Sequence, residues 1–521
     1  MIHPETIRNR RSGKIDNLFL LFGGAVVLIG LLAWSLNSLD QTESEAEGDS
    51  LVVFCAAGIR PVAEEIRTDY KEEYGTEAQL QFGGSNTLLS QIEASQTGDL
   101  FLSADEVYIQ QGQEKGLVQE ALPLATMKPV LLVAGGNPKE IRSADDLVEK
   151  DLIIAIGNPD QAAVGRKTKK LLSDSGHWQK LEKKIVEKGV MKATVPEVAN
   201  DVQIGSADVA VVWDITALNH PKLEVVEIPE LDAGTAQVKI GVLTTAKNPT
   251  AALKFARYVA ASDRGLVTFK ENGFNTIPDG DVWTEHPELN FYCGSVNRRA
   301  VEAAIKEFEE REGVTVNTSY NGCGILVGQM KTILAQNQGA GFPDTYMACD
   351  RYYLEQVSDL FQEDVNISST DVVIAVPKGN PKKIESLEDL TREGMRVAVG
   401  QPDQCTIGVL SRQIIEANNL MDRIKPNIKQ ETTSSALLVP LVLTGAVDAV
   451  LAYRTDTKSE MGKIDIVPIN TEESRAVQPF SIAKSSNKKY LARRLYDAVA
   501  HSQQAFETAG FEWLLKPKQN Q

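Results

Sequence analysis

Two short segments place glycines beside a hydroxyl or thiol group at a predicted turn between a strand and a helix. They are QFGGSNTLLSQI, which begins at Gln81, and SYNGCGILVGQM, which begins at Ser319. The unpaired backbone N–H groups at a helix start, aided by the helix dipole, can bind an oxyanion without any lysine. Ser85 adds a hydroxyl donor in the first segment, and Cys323 stands at the matching position of the second. The first segment therefore predicts part of a site for a small oxyanion.

A second pair of segments predicts another helix start that faces the first. IGNPDQAAVGRKTKKLL begins at Ile156 and VGQPDQCTIGVLSRQII begins at Val399. Proline and aspartate are ordinary residues of a first helical turn. We expect Asp160 and Asp403 to cap these helices, since a carboxylate would repel an anion. The second copy has Cys405 where the first has Ala162.

These pairs belong to a tandem duplication of about 240 residues. LVVFCAAG from Leu51 matches LNFYCGSV from Leu289, and GDLFLSAD, GNPKEIRSADDL and GSADVAVVWDIT match PDTYMACD, GNPKKIESLEDL and GAVDAVLAYRTD in the same order. We assign module 1 to residues 51–287 and module 2 to residues 288–521. Each copy alternates strands and helices, and we expect its first helix to end at Gly75 or Gly313. The alternation predicts a mostly parallel α/β sheet with ligands beyond the carboxyl ends of strands.

The N-terminus contains an apolar, uncharged run over residues 17–36. A helix that crosses a bilayer needs about 20 such residues. Basic residues precede the run and acidic residues follow it, so we predict a cytoplasmic tail (1–16), a transmembrane signal anchor (17–36) and an acidic linker (37–50). Residues 17–36 would then hold the protein to the cytoplasmic membrane with its bulk in the periplasm or outside the cell. A cleaved signal peptide is the alternative, but LLAWSLNSLD offers no small-x-small cleavage site.

Charge and motif content disfavour several classes of protein. The chain has 71 acidic and 54 basic residues and a net charge of −17, which repels a polyphosphate backbone, so we expect no nucleic acid partner. No CxxC, HxxxH or HExxH spacing occurs among its five cysteines and five histidines. We therefore predict no enzyme, and a thiol oxidoreductase that uses Cys323 and Cys405 is a distant third possibility.

The motifs GGSNTLLSQI, GDLFLSAD and VDAVLAYRTDT resemble those of the type II periplasmic solute-binding proteins, and within them the molybdate-binding proteins of ABC importers. The resemblance covers both copies from about Leu51 to the C-terminus. It implies two tandem solute-binding modules, each with two α/β subdomains around a cleft. With the predicted anchor, the expected fold is an N-terminal transmembrane helix followed by these two α/β modules. It also implies capture of a molybdate- or tungstate-like oxyanion by hinge closure, for delivery to an ABC permease.

In the molybdate-binding family a tyrosine of the last motif donates its hydroxyl to the anion, and the matching residues here are Trp213 and Tyr453. Trp213 has only an indole N–H, so module 1 departs from the family pattern. The loop after the first strand has Ala56 and Ala57 in module 1 but Ser295 in module 2. The predicted ligand-binding residues are Ala57, Gly58, Gly84, Ser85, Asn86, Thr87, Gln161, Ala162, Trp213, Ser295, Cys323, Gly324, Gln404, Cys405 and Tyr453.

The cysteines of module 2 leave three interpretations open. They form disulfides, with Cys293 and Cys323 as the most plausible pair. Alternatively, Cys293, Cys323 and Cys405 bind a soft metal such as Cu(I) or Zn, which is the one cofactor the sequence suggests. They could also be small buried apolar residues. The alternative function is a membrane-tethered sensory or scaffold protein whose second module binds that metal or is purely structural.

Overall fold

A computed structural model of the protein describes residues 50–336 and 341–516. We keep the sequence-based division at residues 287 and 288 to name the two modules. Within the described residues, each module has its own hydrophobic core of buried aliphatic and aromatic side chains.

Module 1 has two sheets, one in each lobe of the module. Its strands are β1 (Ser50–Ala56), β2 (Glu77–Gly83), β3 (Leu100–Ser103), β4 (Val118–Met127), β5 (Pro129–Ala134), β6 (Ile154–Gly157), β7 (Val190–Lys192), β8 (Val209–Trp213), β9 (Leu223–Val226), β10 (Ala236–Leu243) and β11 (Asn275–Thr276). The first lobe has the strand order β11-β4-β10-β3-β1-β2, and the second lobe has β7-β6-β8-β5-β9. The chain enters the second lobe between β4 and β5 and returns between β9 and β10, so two connections join the lobes.

Helices cover these sheets. In module 1 they are α1 (Arg60–Tyr74), α2 (Ser85–Ser95), α3 (Glu106–Glu114), α4 (Ala144–Glu149), α5 (Ala163–Asp174), α6 (Trp178–Lys188), α7 (Val195–Gln203), α8 (Asp214–Leu218), α9 (Pro229–Asp232), α10 (Pro249–Val259) and α11 (Gly265–Glu271). A 3₁₀ turn, Ala57–Ile59, lies between β1 and α1.

Module 2 repeats this strand order. Its strands are β12 (Glu288–Gly294), β13 (Thr315–Asn321), β14 (Thr345–Met347), β15 (Phe361–Pro377), β16 (Val397–Gly400), β17 (Ile428–Thr432), β18 (Ala449–Tyr453), β19 (Ile464–Pro468), β20 (Arg475–Ala483) and β21 (Glu512–Trp513). The long strand β15 pairs with β20 through its first part and with β18 and β19 through its last residues. It therefore takes the place of both β4 and β5 and runs through both lobes.

The helices of module 2 follow the same plan. They are α12 (Arg298–Glu312), α13 (Cys323–Ala335), α14 (Arg351–Glu355), α15 (Thr406–Ala417), α16 (Met421–Ile424), α17 (Leu438–Leu443), α18 (Arg454–Thr457), α19 (Lys489–Ala500) and α20 (Gln503–Ala509). Short 3₁₀ turns cover Ser295–Asn297, Ser358–Leu360, Glu388–Thr391, Lys425–Asn427, Ser435–Leu437, Lys458–Glu460 and Glu472–Ser474. The shared strand order confirms the tandem duplication.

The glycines that end the first long helix of each module lie in the left-handed region. Gly75 has φ 73° after α1, and Gly313 has φ 65° after α12. Glycine adopts this conformation without the steric cost that other residues incur. The sequence prediction that these two glycines end helices is confirmed.

The predicted N-terminal transmembrane helix is not part of the fold that the structure describes. None of the helices in residues 50–336 and 341–516 is long and apolar enough to cross a membrane. The predicted tail (1–16), the anchor itself (17–36) and all of the linker (37–50) except Ser50 lie outside the described residues. An apolar run of sufficient length does not by itself establish a helix. The fold class is therefore corrected to the two tandem α/β modules.

Buried charges join the two modules. Glu312, the last residue of α12, accepts from Arg257 of module 1 at 3.0 Å and from Arg494 of its own module at 2.5 Å. All three side chains are at least nine-tenths buried. Nearby, the Asp281 carboxylate of module 1 accepts from the backbone N–H groups of Tyr490 and Leu491 in module 2, at 2.9 and 2.8 Å. Polar groups buried in this way are costly unless they stay paired, so the pairing holds the modules in contact.

Candidate functional site

A small cavity lies between the two lobes of module 1. Its walls combine residues of both lobes. It is lined by Ala56, Ala57, Gly58, Gly83, Gly84, Ser85, Ala104, Ala162, Ala163, Thr194, Val195 and Trp213. These lining residues include no charged side chain, so the cavity offers neutral donors only.

Three helices and one 3₁₀ turn begin at this cavity. The residues immediately before them are Ala56 for the 3₁₀ turn, Gly84 for α2, Ala162 for α5 and Thr194 for α7. All four residues are part of the cavity wall. The first N–H groups of a helix have no partner within it and carry the positive end of the helix dipole. The cavity is therefore surrounded by backbone donors from both lobes.

Three of these four starts lack the side chain that usually satisfies the free N–H groups. Ala56, Gly84 and Ala162 have no side-chain oxygen with which to cap a helix. Other helices of the same module are capped by a side chain, since Asp105 accepts from Val107 N and Ser143 accepts from Asp146 N. At the three uncapped starts beside the cavity, an anion can accept from the backbone instead.

Ser85 is the hydroxyl group of the site. It is the first residue of α2, and 1% of it is exposed. Its Oγ accepts from the backbone N–H of Ala104 at 3.3 Å, which fixes the oxygen and leaves the hydroxyl proton free to donate. Thr194, on the other lobe, donates its hydroxyl to Glu197 at 2.7 Å in a capping box.

The lobes of module 1 are closed on each other at the site. The Asn86 backbone N–H donates to the Gln161 carbonyl at 3.2 Å, and its side-chain amide donates to the Asp160 carbonyl at 2.7 Å. A β-carbon on Gly84 would lie 2.8 Å from the Ala193 carbonyl oxygen and closer still to that of Gln161. Glycine is required at position 84 because the backbones of the two lobes meet there.

A buried ion pair lies next to the site without lining it. Asp105 caps α3, and its carboxylate is 3.2 Å from the Lys167 ammonium. Burial raises the pKa of Asp105, and the charge of Lys167 opposes that change. The pair keeps a carboxylate close to the cavity neutralised, which favours an anion there.

The structure separates the predicted residues of module 1 into two groups. Ala57, Gly58, Ser85, Ala162 and Trp213 line the cavity, as does Gly84. Trp213 is 1% exposed and closes the wall near Gly58.

The remaining predicted residues of module 1 do not line the cavity. Asn86 and Gln161 hold the lobes together, and Thr87 is a half-buried residue of α2. Sequence reasoning missed Ala104 and the start of α7. A signal for the latter was present, because Thr194 and Glu197 have the spacing of a capping box.

Module 2 contains the same four starts with different side chains. The residues before them are Gly294, Gly322, Cys405 and Ser434. The lobes are closed here too: Ile325 N donates to the Gln404 carbonyl at 3.3 Å. A β-carbon on Gly324 would lie 2.5 Å from the Asp403 carbonyl oxygen, so that glycine also sits where the lobes meet. The predicted residue Ser295 lies 3.0 Å from Ser434 of the other lobe, hydroxyl to hydroxyl.

Thiol groups replace the hydroxyl and methyl groups of module 1. Cys323 Sγ lies 2.9 Å from Cys349 Sγ and accepts from the Cys349 backbone N–H at 3.0 Å. The latter bond repeats the one from Ala104 to Ser85 in module 1. Cys405 Sγ contacts the carbonyl oxygens of Thr432 and Gln401 instead, at 3.3 and 3.6 Å.

The predicted metal site of Cys293, Cys323 and Cys405 is not found. No group of three or more His, Cys, Asp or Glu residues that could hold a metal ion occurs within the described residues. Cys405 is directed at carbonyl groups of its own lobe, and burial raises the pKa of its thiol to about 11. The predicted disulfide between Cys293 and Cys323 is not formed either, because all five cysteines are free and Cys323 contacts Cys349.

Tyr453 supplies an unsatisfied donor to module 2. It ends β18, at the position that Trp213 has in module 1, and its side chain is fully buried. Its hydroxyl has no hydrogen-bond partner. Burial raises the pKa of Tyr453, and the nearby Cys349 and Asp350 raise it further. A buried hydroxyl without a partner costs free energy unless a ligand or a water molecule accepts from it.

This arrangement of lobes and helix starts agrees with the family to which the sequence can be matched. The model of the bacterial extracellular solute-binding proteins matches residues 51–275 and again residues 289–512. The chain belongs to this family and contains two copies of the family's domain in tandem.

Individual relatives match one module at a time. The molybdate-binding protein ModA of Mycobacterium tuberculosis is 30% identical over 257 residues, which are 48% of this chain and 94% of that protein. ModA of Escherichia coli is 27% identical over 238 residues, 41% of this chain and 89% of that protein. Among solved structures, the periplasmic molybdate-binding protein of Azotobacter vinelandii is 18% identical, with a TM-score of 0.38. The match covers 43% of this chain and 98% of the Azotobacter vinelandii chain.

Proposed function

We propose that module 1 captures a tetrahedral oxyanion of the molybdate and tungstate class. The observation that carries this proposal is the convergence of α2, α5 and α7 on a cavity without charged side chains, with two of the three starts uncapped. An oxyanion needs donors on several sides, and helix starts from two lobes supply them. The molybdate-binding relatives support the choice of anion.

Size and closure fit the same ligand. A cavity this small, shared between two lobes, suits a small anion better than a sugar or a peptide. The contacts of Asn86 with the opposite lobe belong to the closed form. A ligand that bridges the lobes shifts the equilibrium towards that form by its higher affinity for it.

The wider role is delivery to an importer outside the cytoplasmic membrane. Relatives with the same fold are binding proteins for molybdate. A closed, anion-loaded module differs in shape from an open one, and an ABC permease would recognise the closed shape. We propose no enzymatic step for this chain.

The test is calorimetric titration of the full chain with molybdate, tungstate, sulfate and phosphate. We expect saturable binding of molybdate or tungstate. The variant Ser85→Ala should bind about 10- to 100-fold more weakly, since a hydrogen bond to a charged group contributes about 1.5 to 3 kcal/mol.

Ser90→Ala is the matched control. Ser90 lies on the same helix but is exposed, so its loss should leave the affinity unchanged. If the chain binds none of the four anions, the proposal is wrong. If Ser85→Ala and Ser90→Ala bind molybdate equally well, the site lies elsewhere.

A further inference from the structure

The strongest unexplained feature of the molecule is the contact between two thiols in module 2. Cys323 is the first residue of α13, and Cys349 follows β14. Their sulfur atoms are 2.9 Å apart, which is closer than non-bonded sulfur atoms normally approach. A disulfide bond is about 2.0 Å long, so the two atoms need to move together by only about 0.9 Å.

We propose that Cys323 and Cys349 are a redox-active pair that forms a disulfide inside the cleft of module 2, while Cys293 and Cys405 remain thiols. The inference rests on the geometry of module 2 and does not depend on the anion proposed for module 1.

The surroundings of the pair match this assignment. Cys293 Sγ lies 3.7 Å from the Gly294 carbonyl oxygen, and Cys405 Sγ lies against carbonyl groups of the other lobe. Neither has the close sulfur contact that Cys323 and Cys349 share. The backbone leaves room for the pair, because a β-carbon on Gly294 would lie 2.8 Å from Cys323 Sγ and closer still to Cys349 Sγ.

The two thiols also differ in acidity. Burial opposes ionisation of Cys323, but hydrogen bonds from the Cys349 thiol and backbone N–H outweigh it and hold the pKa of Cys323 below its ordinary value. The Cys323 sulfur, and then burial, raise the pKa of Cys349. Thiol–disulfide exchange starts from a thiolate, so Cys323 is the attacking group.

The oxidant is a small disulfide such as oxidised glutathione. The Cys323 thiolate attacks one of its sulfur atoms, which forms a mixed disulfide and releases one glutathione thiolate. Cys349 then loses its proton to water, attacks the Cys323 sulfur and releases the second glutathione. Two protein thiols and one glutathione disulfide thus become one protein disulfide and two glutathione thiols. The cleft must open for this exchange, because Cys323 is fully buried when it is closed.

The disulfide would change what the second site offers a ligand. In module 1 the Ser85 hydroxyl keeps a proton to donate. In module 2 the matching thiol has such a proton only when it is reduced, since a disulfide sulfur carries none. Oxidation would therefore remove a donor from module 2 and leave the four helix starts in place.

The test is disulfide mapping on the full chain. Reduced protein is equilibrated with glutathione buffers from reducing to oxidising, then quenched in acid, denatured, alkylated and digested for mass spectrometry. We expect a Cys323–Cys349 peptide that grows with the oxidised fraction and disappears with dithiothreitol. Of the five cysteines, two are paired at the oxidising end and the remaining three are alkylated.

Three variants restore the residue of module 1 at its matching position. Cys323→Ser and Cys349→Ala should each abolish the linkage, and Cys405→Ala should leave it intact. A Cys293–Cys323 peptide, or five alkylated thiols at the oxidising end, would overturn the proposal. Mapping of the unsubstituted chain decides the matter even if a variant fails to fold.

Discussion

The two modules have the same backbone site and different side chains in it. Each places four helical starts at the meeting point of its lobes, after Ala56, Gly84, Ala162 and Thr194 in one module and after Gly294, Gly322, Cys405 and Ser434 in the other. Module 1 presents small, neutral groups and one serine hydroxyl there. Module 2 presents thiols and a tyrosine hydroxyl. Because the backbone supplies most of the hydrogen-bond donors, the side chains can diverge while the arrangement of those donors is kept.

Compensating changes of side-chain volume accompany this divergence between the modules. Module 1 has alanine at both 56 and 104, and module 2 has Gly294 and Cys349 at the matching positions. A β-carbon on Gly294 would collide with both thiols, so the sulfur of Cys349 takes the space that the methyl group of Ala56 fills in module 1. Protein interiors are close-packed, so an atom added to one buried side chain requires the loss of an atom from a neighbouring one.

The modules also use one helix position differently. Tyr74 ends α1 and Glu312 ends α12, each just before a left-handed glycine. Tyr74 packs edge-on against Trp283 and accepts from its indole N–H at 2.8 Å. Glu312 instead neutralises two buried arginines at the joint between the modules.

The largest loss of stability is expected from substitution of Glu312, where the two modules meet. Glu312→Gln removes the carboxylate that pairs with both Arg257 and Arg494, and loss of one partner of a buried ion pair costs about 3 to 5 kcal/mol. Tyr74→Phe removes two hydrogen bonds, one from Trp283 and one to the exposed Glu73, and should cost about 1 to 3 kcal/mol at about 0.5 to 1.5 kcal/mol each. Chemical denaturation of both variants measures the two free energies of unfolding. Equal costs would show that the two helix ends do not differ in importance.

The next largest effect is a loss of anion affinity when a methyl group is added where the lobes of module 1 meet. Gly84→Ala would press a β-carbon against the carbonyl groups of Ala193 and Gln161. Overpacking costs about 1 to 3 kcal/mol, and because this cost falls on the closed form, anion affinity should drop about 10- to 100-fold.

Gly322→Ala is the matched change in module 2, where the β-carbon would lie 2.5 Å from the Gln404 carbonyl oxygen. It should leave molybdate binding by module 1 unchanged. Titration of both variants tests whether the anion binds in module 1. A loss of affinity in Gly322→Ala alone would move the anion to module 2.

Much of this site could be predicted from the sequence, because local chemistry fixes helix starts. The segments around Ser85 and Ala162 were identified from their glycines, hydroxyl groups and Pro-Asp-Gln triplet, and the helix ends at Gly75 and Gly313 from glycine alone. Such features depend on a few neighbouring residues, so a short segment contains the information.

Contacts between distant segments could not be predicted in the same way. Asn86 was predicted to bind the ligand, yet it binds the carbonyl of Asp160, which depends on how far the lobes close. Cys323 was paired with Cys293 although Cys349 is its neighbour. The three cysteines of the predicted metal site also do not form a group that could hold a metal ion within the described residues, because residues of one cleft need not point at one another.

The last effect depends on pH and concerns a further difference between the modules. Asp456 of α18 stands where α8 of module 1 has Thr216, and its Oδ2 is buried without a hydrogen-bond partner. Burial raises the pKa of Asp456 from 3.8 to about 6, against the nearby charge of Arg299. The folded state therefore holds this proton more tightly than the unfolded state does.

The sign of the effect follows from that difference. The contribution of Asp456 to stability is fully present below pH 3.8 and is lost as the pH rises to about 6. Asp456→Asn cannot ionise, so the free energy of unfolding of the wild type should fall relative to this variant across that interval and stay constant above it. Thr216→Asn makes the matched change in module 1 without removing an ionisable group, and it should keep the pH profile of the wild type. Urea unfolding of the three proteins across the interval measures these differences. Parallel profiles for wild type and Asp456→Asn would mean that Asp456 stays ionised in the folded protein, and that its environment differs less from that of a surface carboxylate than its burial implies.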